Sequence, residues 1–234
     1  MDKVDYLQAM GIDVWREKDI IVEASLVDAQ GRAQGSPLQN LDISREQQWQ
    51  QLEQHIETCT ACPLYETRTH AVIGTGNRQA DLLIIGEAPG AQEDMQGKPF
   101  VGPAGQLLTK MLQAIKLERD DVYITNILKS RPPNNRDPKP EEVSACTPFL
   151  LKQIELIQPK VILALGRIAA HYLLNCDTAM SELRGKIFKY GPQQTRLIVT
   201  YHPAYLLRAP EEKRKAWEDL QLLQKILISD ETLS

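Results

Sequence analysis

The chain has few cysteines and no long apolar run. Only 4 of its 234 residues are cysteine, too few for a disulfide scaffold in a chain of this length. Apolar stretches such as residues 161–165 are far shorter than the roughly 20 residues that a membrane-spanning helix needs. The first residues are charged, unlike the basic and then apolar start of a secretory signal. We therefore expect a cytoplasmic protein with no membrane partner.

The charge is distributed unevenly along the chain. Overall there are 31 acidic and 27 basic residues, but the first 58 residues hold 11 acidic and 5 basic ones. The remainder is close to neutral, so the acidic pI of about 5.7 does not exclude a nucleic-acid partner for that part. Hydrophobic residues make up 42% and charged residues 25%, as in ordinary globular proteins.

The chain divides near residue 44. Residues 23–42 are rich in Ser, Gly, Gln, Asn and Pro without a sustained period, which is typical of a linker. Ser44 followed by Gln47 forms a capping-box pattern ahead of a helix that runs towards Cys59. We predict an N-terminal extension and linker over residues 1–44 and one main domain over 45–234. The apolar residues between Tyr6 and Trp15 favour a short helix, which could dock a protein partner or belong to an ordinary disordered tail.

Short apolar runs alternate with helical patterns in the main domain. The runs cover residues 82–85, 122–128, 161–165 and 197–201, and the helical patterns cover 104–115, 140–157, 167–174 and 210–228. This alternation predicts an α/β fold, a three-layer α/β/α domain around a central, mainly parallel four-stranded sheet. In such folds ligands bind beyond the carboxyl ends of the strands.

Two loops at predicted strand ends have unusual compositions. The first, residues 86–105, is dense in glycine and proline, and its exposed amides could bind a carbonyl oxygen or a phosphate unless it is only a cluster of turns. It lacks the glycine spacing of dinucleotide and P-loop sites, so no nucleotide cofactor is expected. The second loop has His202 at a strand end, ahead of the segment Leu206-Leu207-Arg208. This histidine could bind a ligand or could simply cap the core.

Five segments together resemble the iron-sulfur (family 4) uracil-DNA glycosylases. They are Gly86-Glu87-Ala88-Pro89-Gly90 with Glu93-Asp94, the segment 97–105, Thr125-Asn126, the segment 131–138, and His202-Pro203-Ala204-Tyr205-Leu206-Leu207-Arg208. The resemblance is co-linear from about Cys59 to the last helix. It implies an uracil-DNA glycosylase fold and hydrolysis of the N-glycosidic bond of deoxyuridine in DNA, leaving an abasic site in base-excision repair.

The resemblance also implies roles for single residues. Phe100 is expected to stack on the flipped uracil, Asn126 to read its O4/N3 edge, and His202 to hydrogen-bond O2 as negative charge develops there. Glu87, Ala88 and Pro89 are expected to contact the base and present the deoxyribose. Either Glu87 or Glu93 would orient water or stabilise the sugar cation.

Contacts to DNA are expected from up to three regions. Leu206 or Leu207 would fill the space that the base vacates, and Arg208 would contact a phosphate. A second basic cluster is predicted from Lys129, Arg131, Arg136 and Lys139, and a third from residues 213–215, which could equally be a solvated helix face.

Family members hold a [4Fe–4S] cluster with four cysteines. Cys59, Cys62 and Cys146 match three of these positions, and Ser130 stands at the fourth. Three outcomes are open: a cluster with the Ser130 oxygen as ligand, a three-cysteine cluster with a labile iron, or no cluster. Cys176 as a substitute ligand and a structural zinc site are further alternatives.

Two other functions compete with uracil excision. A non-catalytic DNA-binding or repair-adaptor protein could use residues 1–44 as a docking segment, and a related glycosylase could act on hypoxanthine or mismatched thymine. Phe100 with Asn126 favours uracil. The expected partner is uracil-containing DNA, single- or double-stranded, bound by a monomer.

Overall fold

The computed structural model describes residues 44–231, and of residues 229–231 it describes only the backbone. The predicted extension and linker, including its short helix, lie outside the described residues. The helices are α1 (Arg45–Glu57), α2 (Ala91–Gln96), α3 (Pro103–Ala114), α4 (Pro140–Ile157), α5 (Gly166–Leu174), α6 (Met180–Leu183), α7 (Pro203–Arg208) and α8 (Lys213–Glu231). The strands are β1 (Thr75–Gly76), β2 (Leu82–Gly86), β3 (Tyr123–Asn126), β4 (Val161–Leu165), β5 (Ile187–Tyr190) and β6 (Thr195–Thr200).

The sheet has six strands in the order β1-β3-β2-β4-β6-β5. The four predicted strands β2, β3, β4 and β6 form its parallel centre. The sheet therefore has two strands more than the four expected. The additional strands are the edge strands β1 and β5, and both pair antiparallel with their neighbours. Neither edge strand has an apolar run: β1 is two residues long, and β5 alternates between exposed and half-buried residues.

Alternating residues of the central strands face two separate cores, which confirms the three-layer arrangement. On one side Leu83, Ile85 and Ile162 pack with α1, α4 and α5. On the other, Ile84 and Leu163 pack with α3, α7 and α8. Because helices cover both faces of the sheet, the central strands have continuous apolar sequences and do not alternate between apolar and polar residues.

The helix boundaries follow local sequence signals. The capping box predicted at Ser44 forms, since the Gln47 N–H donates to its hydroxyl at 3.2 Å and its own N–H donates to the Gln47 side chain at 2.9 Å. Proline occupies the first position of α3, α4 and α7, where its missing N–H costs nothing. No helix among residues 44–231 combines the length and apolarity needed to cross a membrane.

Candidate active site

The carboxyl ends of β2 and β3 bring Gly86 and Asn126 side by side. The two residues are paired in the parallel register. A Cβ at Gly86 would lie 2.4 Å from the Asn126 Oδ1 atom and 2.7 Å from the Phe100 ring, so only glycine lets these two side chains meet here. Asn126 and Phe100, both expected to contact the base, thus lie together at this strand end.

Asn126 carries an unsatisfied acceptor. The residue is only 1% exposed, and among the described residues its Oδ1 atom has no hydrogen-bond partner. An unpaired buried polar atom costs about 1–3 kcal/mol. The carboxamide oxygen is therefore available to accept a hydrogen bond from a ligand that enters the pocket.

Phe100 is held in an uncommon backbone conformation. Its φ angle is 54°, a left-handed value that bulky residues rarely adopt. The carboxylate oxygen Oε1 of Glu93 fixes the turn by accepting hydrogen bonds from the N–H groups of Val101 at 2.9 Å and Gly102 at 3.0 Å. A Cβ at Gly105 would lie 1.8 Å from the Phe100 carbonyl oxygen. Glu93 and Gly105 thus set the position of the aromatic ring.

His202 lies beside Phe100 and caps α7. The two ring centroids are 5.5 Å apart, and the Nδ1 atom of His202 accepts a hydrogen bond from the Ala204 N–H at 3.1 Å. Burial and, to a lesser extent, the charge of Arg208 lower the pKa of His202, against the opposing charge of Glu93, to about 4. The imidazole is therefore neutral near pH 7, and because Nδ1 accepts, its proton is on Nε2.

The two predicted carboxylates differ in their surroundings. Burial and, to a lesser extent, the charge of Asp137 raise the pKa of Glu87, against the opposing charge of Arg167, to about 7. Asp137 and Arg167 form an ion pair at 3.0 Å. Glu93 is instead engaged with the backbone of the Phe100 turn. Beside Glu87, Ala88 is half-buried and Pro89 is buried at the strand end.

The residues of α7 predicted to meet DNA point in two directions. Leu206 is 1% exposed and belongs to the core against α3 and α8, which corrects its prediction as a wedge. Leu207 is 45% exposed, and Arg208 is also exposed. A leucine pair on a short helix gives no sequence signal for which member faces inward.

Lys129 was predicted to belong to a basic surface, and this prediction is wrong because the side chain is buried. It is 2% exposed, and its Nζ atom donates hydrogen bonds to Asn126 O at 2.6 Å, Thr125 Oγ1 at 2.7 Å and Gln153 Oε1 at 2.7 Å. The lysine therefore supports the backbone beneath the Asn126 carboxamide instead of reaching solvent. On α8, residues 213–215 are exposed, and two of them pair with Glu218 and Glu212, as expected for a solvated face.

The four positions predicted for the cluster lie near one another, but they are not four thiolates. Cys62 and Cys59 both influence the pKa of Cys146, which burial raises. Cys176 is half-buried and packs against the core formed with α1, α4 and α5. Ser130 as a residue is 3% exposed, and its hydroxyl accepts a hydrogen bond from Arg68 Nη1 at 3.1 Å. The donor set of three thiols and an arginine-bound hydroxyl does not fit a four-cysteine [4Fe–4S] cluster.

Within residues 44–231, no group of three His, Cys, Asp or Glu side chains is arranged to hold one ion. The structural zinc site stays an alternative prediction.

The chain is similar to known uracil-DNA glycosylases. The family model of the uracil DNA glycosylase superfamily matches residues 73–221, and the chain belongs to that superfamily. A type-4 uracil-DNA glycosylase of Archaeoglobus fulgidus is 45% identical over 178 residues, covering 73% of this chain and 89% of the relative. One of Thermotoga maritima is 43% identical over 181 residues, covering 76% and 94%.

A more distant branch is also similar. A type-5 uracil-DNA glycosylase of Pyrobaculum aerophilum is 33% identical over 150 residues, covering 56% of this chain and 64% of that protein. Identity is higher and coverage longer for the type-4 enzymes. Within the superfamily, the chain belongs to the type-4 family.

Proposed function

We propose that the protein is a monofunctional uracil-DNA glycosylase that hydrolyses the N-glycosidic bond of deoxyuridine in DNA, a first step of base-excision repair. The type-4 relatives support the enzyme class. One observation in the site supports uracil in particular: the buried Asn126 Oδ1 atom, which has no partner among the described residues. Uracil presents an N3–H donor beside its O4 acceptor, whereas cytosine presents an acceptor beside a donor.

In the proposed complex the flipped base stacks on Phe100. The Asn126 carboxamide oxygen accepts from N3–H, and its amide nitrogen donates to O4. Cytosine would place its N3 lone pair against Oδ1, leaving both unsatisfied, which costs about 1–3 kcal/mol. Ala88 and Pro89 extend the pocket wall towards the deoxyribose.

The bond between C1′ and N1 breaks with its electron pair leaving on uracil, where the charge spreads to O2. His202, neutral and with its proton on Nε2, donates to O2 and stabilises that anion. A neutral donor suits this role because it stays in the same protonation state throughout the step. Losing one such preorganised donor typically costs about 10²–10³ in rate.

Water completes the reaction at the sugar cation. Its oxygen bonds to C1′ and its proton passes to a base, for which Glu87 is the proposed group because Glu93 already accepts two backbone hydrogen bonds. The proton then reaches the uracil anion. Lys129, whose Nζ donates to three oxygens, is unsuited to form a Schiff base with the sugar, consistent with hydrolysis alone.

Release of free uracil from a single-uracil oligonucleotide tests this function. Wild-type protein should release uracil, whereas thymine and hypoxanthine oligonucleotides should remain intact, and His202→Ala should lose activity. Folded protein that binds DNA but releases no base would instead favour the adaptor function. Release of hypoxanthine or thymine would change the assigned base.

The biological setting is proposed from sequence. The enzyme would act as a monomer in the cytoplasm on single- or double-stranded uracil-containing DNA. Residues 1–44 would dock a protein partner. Leu207 would fill the gap left by the base while Arg208 contacts a phosphate.

A further inference from the structure

Arg68 joins two segments that a metal cluster would otherwise join. Its Nη1 atom donates to Ser130 Oγ at 3.1 Å, in the loop after β3. Its Nη2 atom donates to the carbonyl oxygen of Glu57, the last residue of α1. Arg68 itself follows the 3₁₀ turn Pro63–Glu66, which begins directly after Cys62. One guanidinium thus links α1, the segment after the Cys59–Cys62 pair, and the loop after β3.

The fourth ligand position is chemically altered. Cluster irons prefer thiolate ligands. A serine hydroxyl is a hard oxygen donor that must lose its proton to become a strong ligand. In this chain the Ser130 oxygen faces a guanidinium, is 3% exposed, and takes part in a hydrogen bond instead of presenting a soft ligand.

Two of the three remaining thiols pack in the hydrophobic core. Cys146 is 5% exposed and belongs to the core formed with α1, α4 and α5, and Cys62 packs against that core. Free cysteines in such surroundings behave as small hydrophobic side chains. The packing of Cys62 and Cys146 in this core therefore does not by itself require a metal.

We propose that the Arg68–Ser130 hydrogen bond replaces the fourth thiolate as the connection between α1 and the loop after β3, and that this chain folds without a [4Fe–4S] cluster. The inference concerns the architecture of the domain and holds whichever base the enzyme releases. Its readouts are metal content and thermal stability, so its failure would be distinguishable from failure of the proposed activity.

The first arm measures iron and acid-labile sulfide in the full chain, purified anaerobically from iron-supplemented cells and again after reconstitution with iron and sulfide. We expect much less than one iron per chain and no visible cluster absorption. A stoichiometry near three or four irons would overturn the proposal. Ser130→Cys, which restores four thiols, is expected to acquire iron and sulfide, whereas Ser130→Ala should remain metal-free.

The second arm tests the contribution of the Arg68–Ser130 hydrogen bond to the thermal stability of the domain. Arg68→Gln and Ser130→Ala should each lower Tm, and the double variant should lose less than the sum, since both remove one shared contact. Arg131→Gln is the matched control, because Arg131 makes a local hydrogen bond to Asn135 on the same loop. Strict additivity, or a fall in wild-type Tm on anaerobic chelation of iron, would contradict the proposal.

Discussion

The Nδ1 atom of His202 accepts a hydrogen bond from the backbone N–H of Ala204, with 3.1 Å between the two nitrogens. This contact forms because His202 is the N-cap of α7, where a side-chain acceptor satisfies an otherwise unpaired amide. It also fixes the tautomer, so that Nε2 carries the proton. The helix start therefore prepares the donor that the proposed reaction uses.

Replacing His202 by alanine should lower kcat by about 10²–10³ while leaving DNA binding nearly unchanged. The reason is that the hydrogen bond to O2 strengthens only as charge develops in the transition state. Single-turnover excision and a binding titration on the same uracil oligonucleotide measure the two quantities. His171→Ala is the control, since His171 contacts the Thr178 carbonyl elsewhere on the domain. An unchanged kcat in His202→Ala would remove the assigned role.

The pH dependence of kcat should report Glu87. If its carboxylate form accepts the proton of water, kcat rises with pH through the Glu87 pKa of about 7. Asp137→Asn should move this inflection to lower pH, because the Asp137 charge raises that pKa. Arg167→Gln should move it higher, because the Arg167 charge lowers it. His202, with a pKa of about 4, should cause no further inflection between pH 5 and 8.

Glu87→Gln tests the same assignment. It should abolish the inflection and lower kcat, since the amide cannot accept the proton. The contrasting variant is Glu93→Gln, which should weaken the Phe100 turn and so raise KM while keeping the inflection. A pH profile that persists unchanged in Glu87→Gln would transfer the water-activating role to another group.

Gly105→Ala should disable the pocket through the backbone. The added methyl would lie 1.8 Å from the Phe100 carbonyl oxygen, so the turn that carries the stacking ring must shift. We expect excision to fall at least about tenfold, equivalent to roughly 1.4 kcal/mol of transition-state stabilisation. At Gly102 of the same loop, a methyl would lie 3.3 Å from the Gln92 side-chain oxygen and 3.4 Å from the Glu93 Oε1 atom that holds the turn. Gly102→Ala is therefore the milder change and should lose less activity than Gly105→Ala.

The parallel core of the sheet was predictable because its strands are apolar on both faces. Continuous runs such as residues 161–165 correspond closely to β4. The edge strands β1 and β5 were not predicted, since an edge strand is specified by pairing and not by burial. Motif order placed Phe100, Asn126 and His202 after the carboxyl ends of three strands, but it did not indicate the left-handed φ of Phe100, whose turn the Glu93 carboxylate holds.

Side-chain direction was the harder part to predict. Lys129 was predicted to lie in an exposed basic cluster because lysine side chains are rarely buried. Its burial depends on Gln153 of α4, which supplies an acceptor at 2.7 Å from 24 residues further along the chain. Burial lowers its pKa to about 7. Likewise, Leu206 and Leu207 are chemically identical, and only the packing of α7 on the core distinguishes them.

Leu206→Ala and Leu207→Ala should therefore fail in different ways. Leu206 is fully enclosed, so its truncation leaves a cavity and should reduce the free energy of unfolding by about 2–5 kcal/mol. Leu207 faces solvent, so its truncation should change stability by less than about 0.5 kcal/mol. Denaturant titrations of both variants measure this difference.

Excision rates of the Leu206→Ala and Leu207→Ala variants distinguish a side chain that fills the gap in the DNA from one that only packs in the core. If Leu207 fills the vacated space in the duplex, Leu207→Ala should slow excision from double-stranded DNA more than from single-stranded DNA, because only the duplex must be kept open. Leu206→Ala, assayed well below its unfolding temperature, should affect both substrates equally. Equal losses on both substrates for Leu207→Ala would show that the exposed leucine contributes to general binding and does not hold the flipped state.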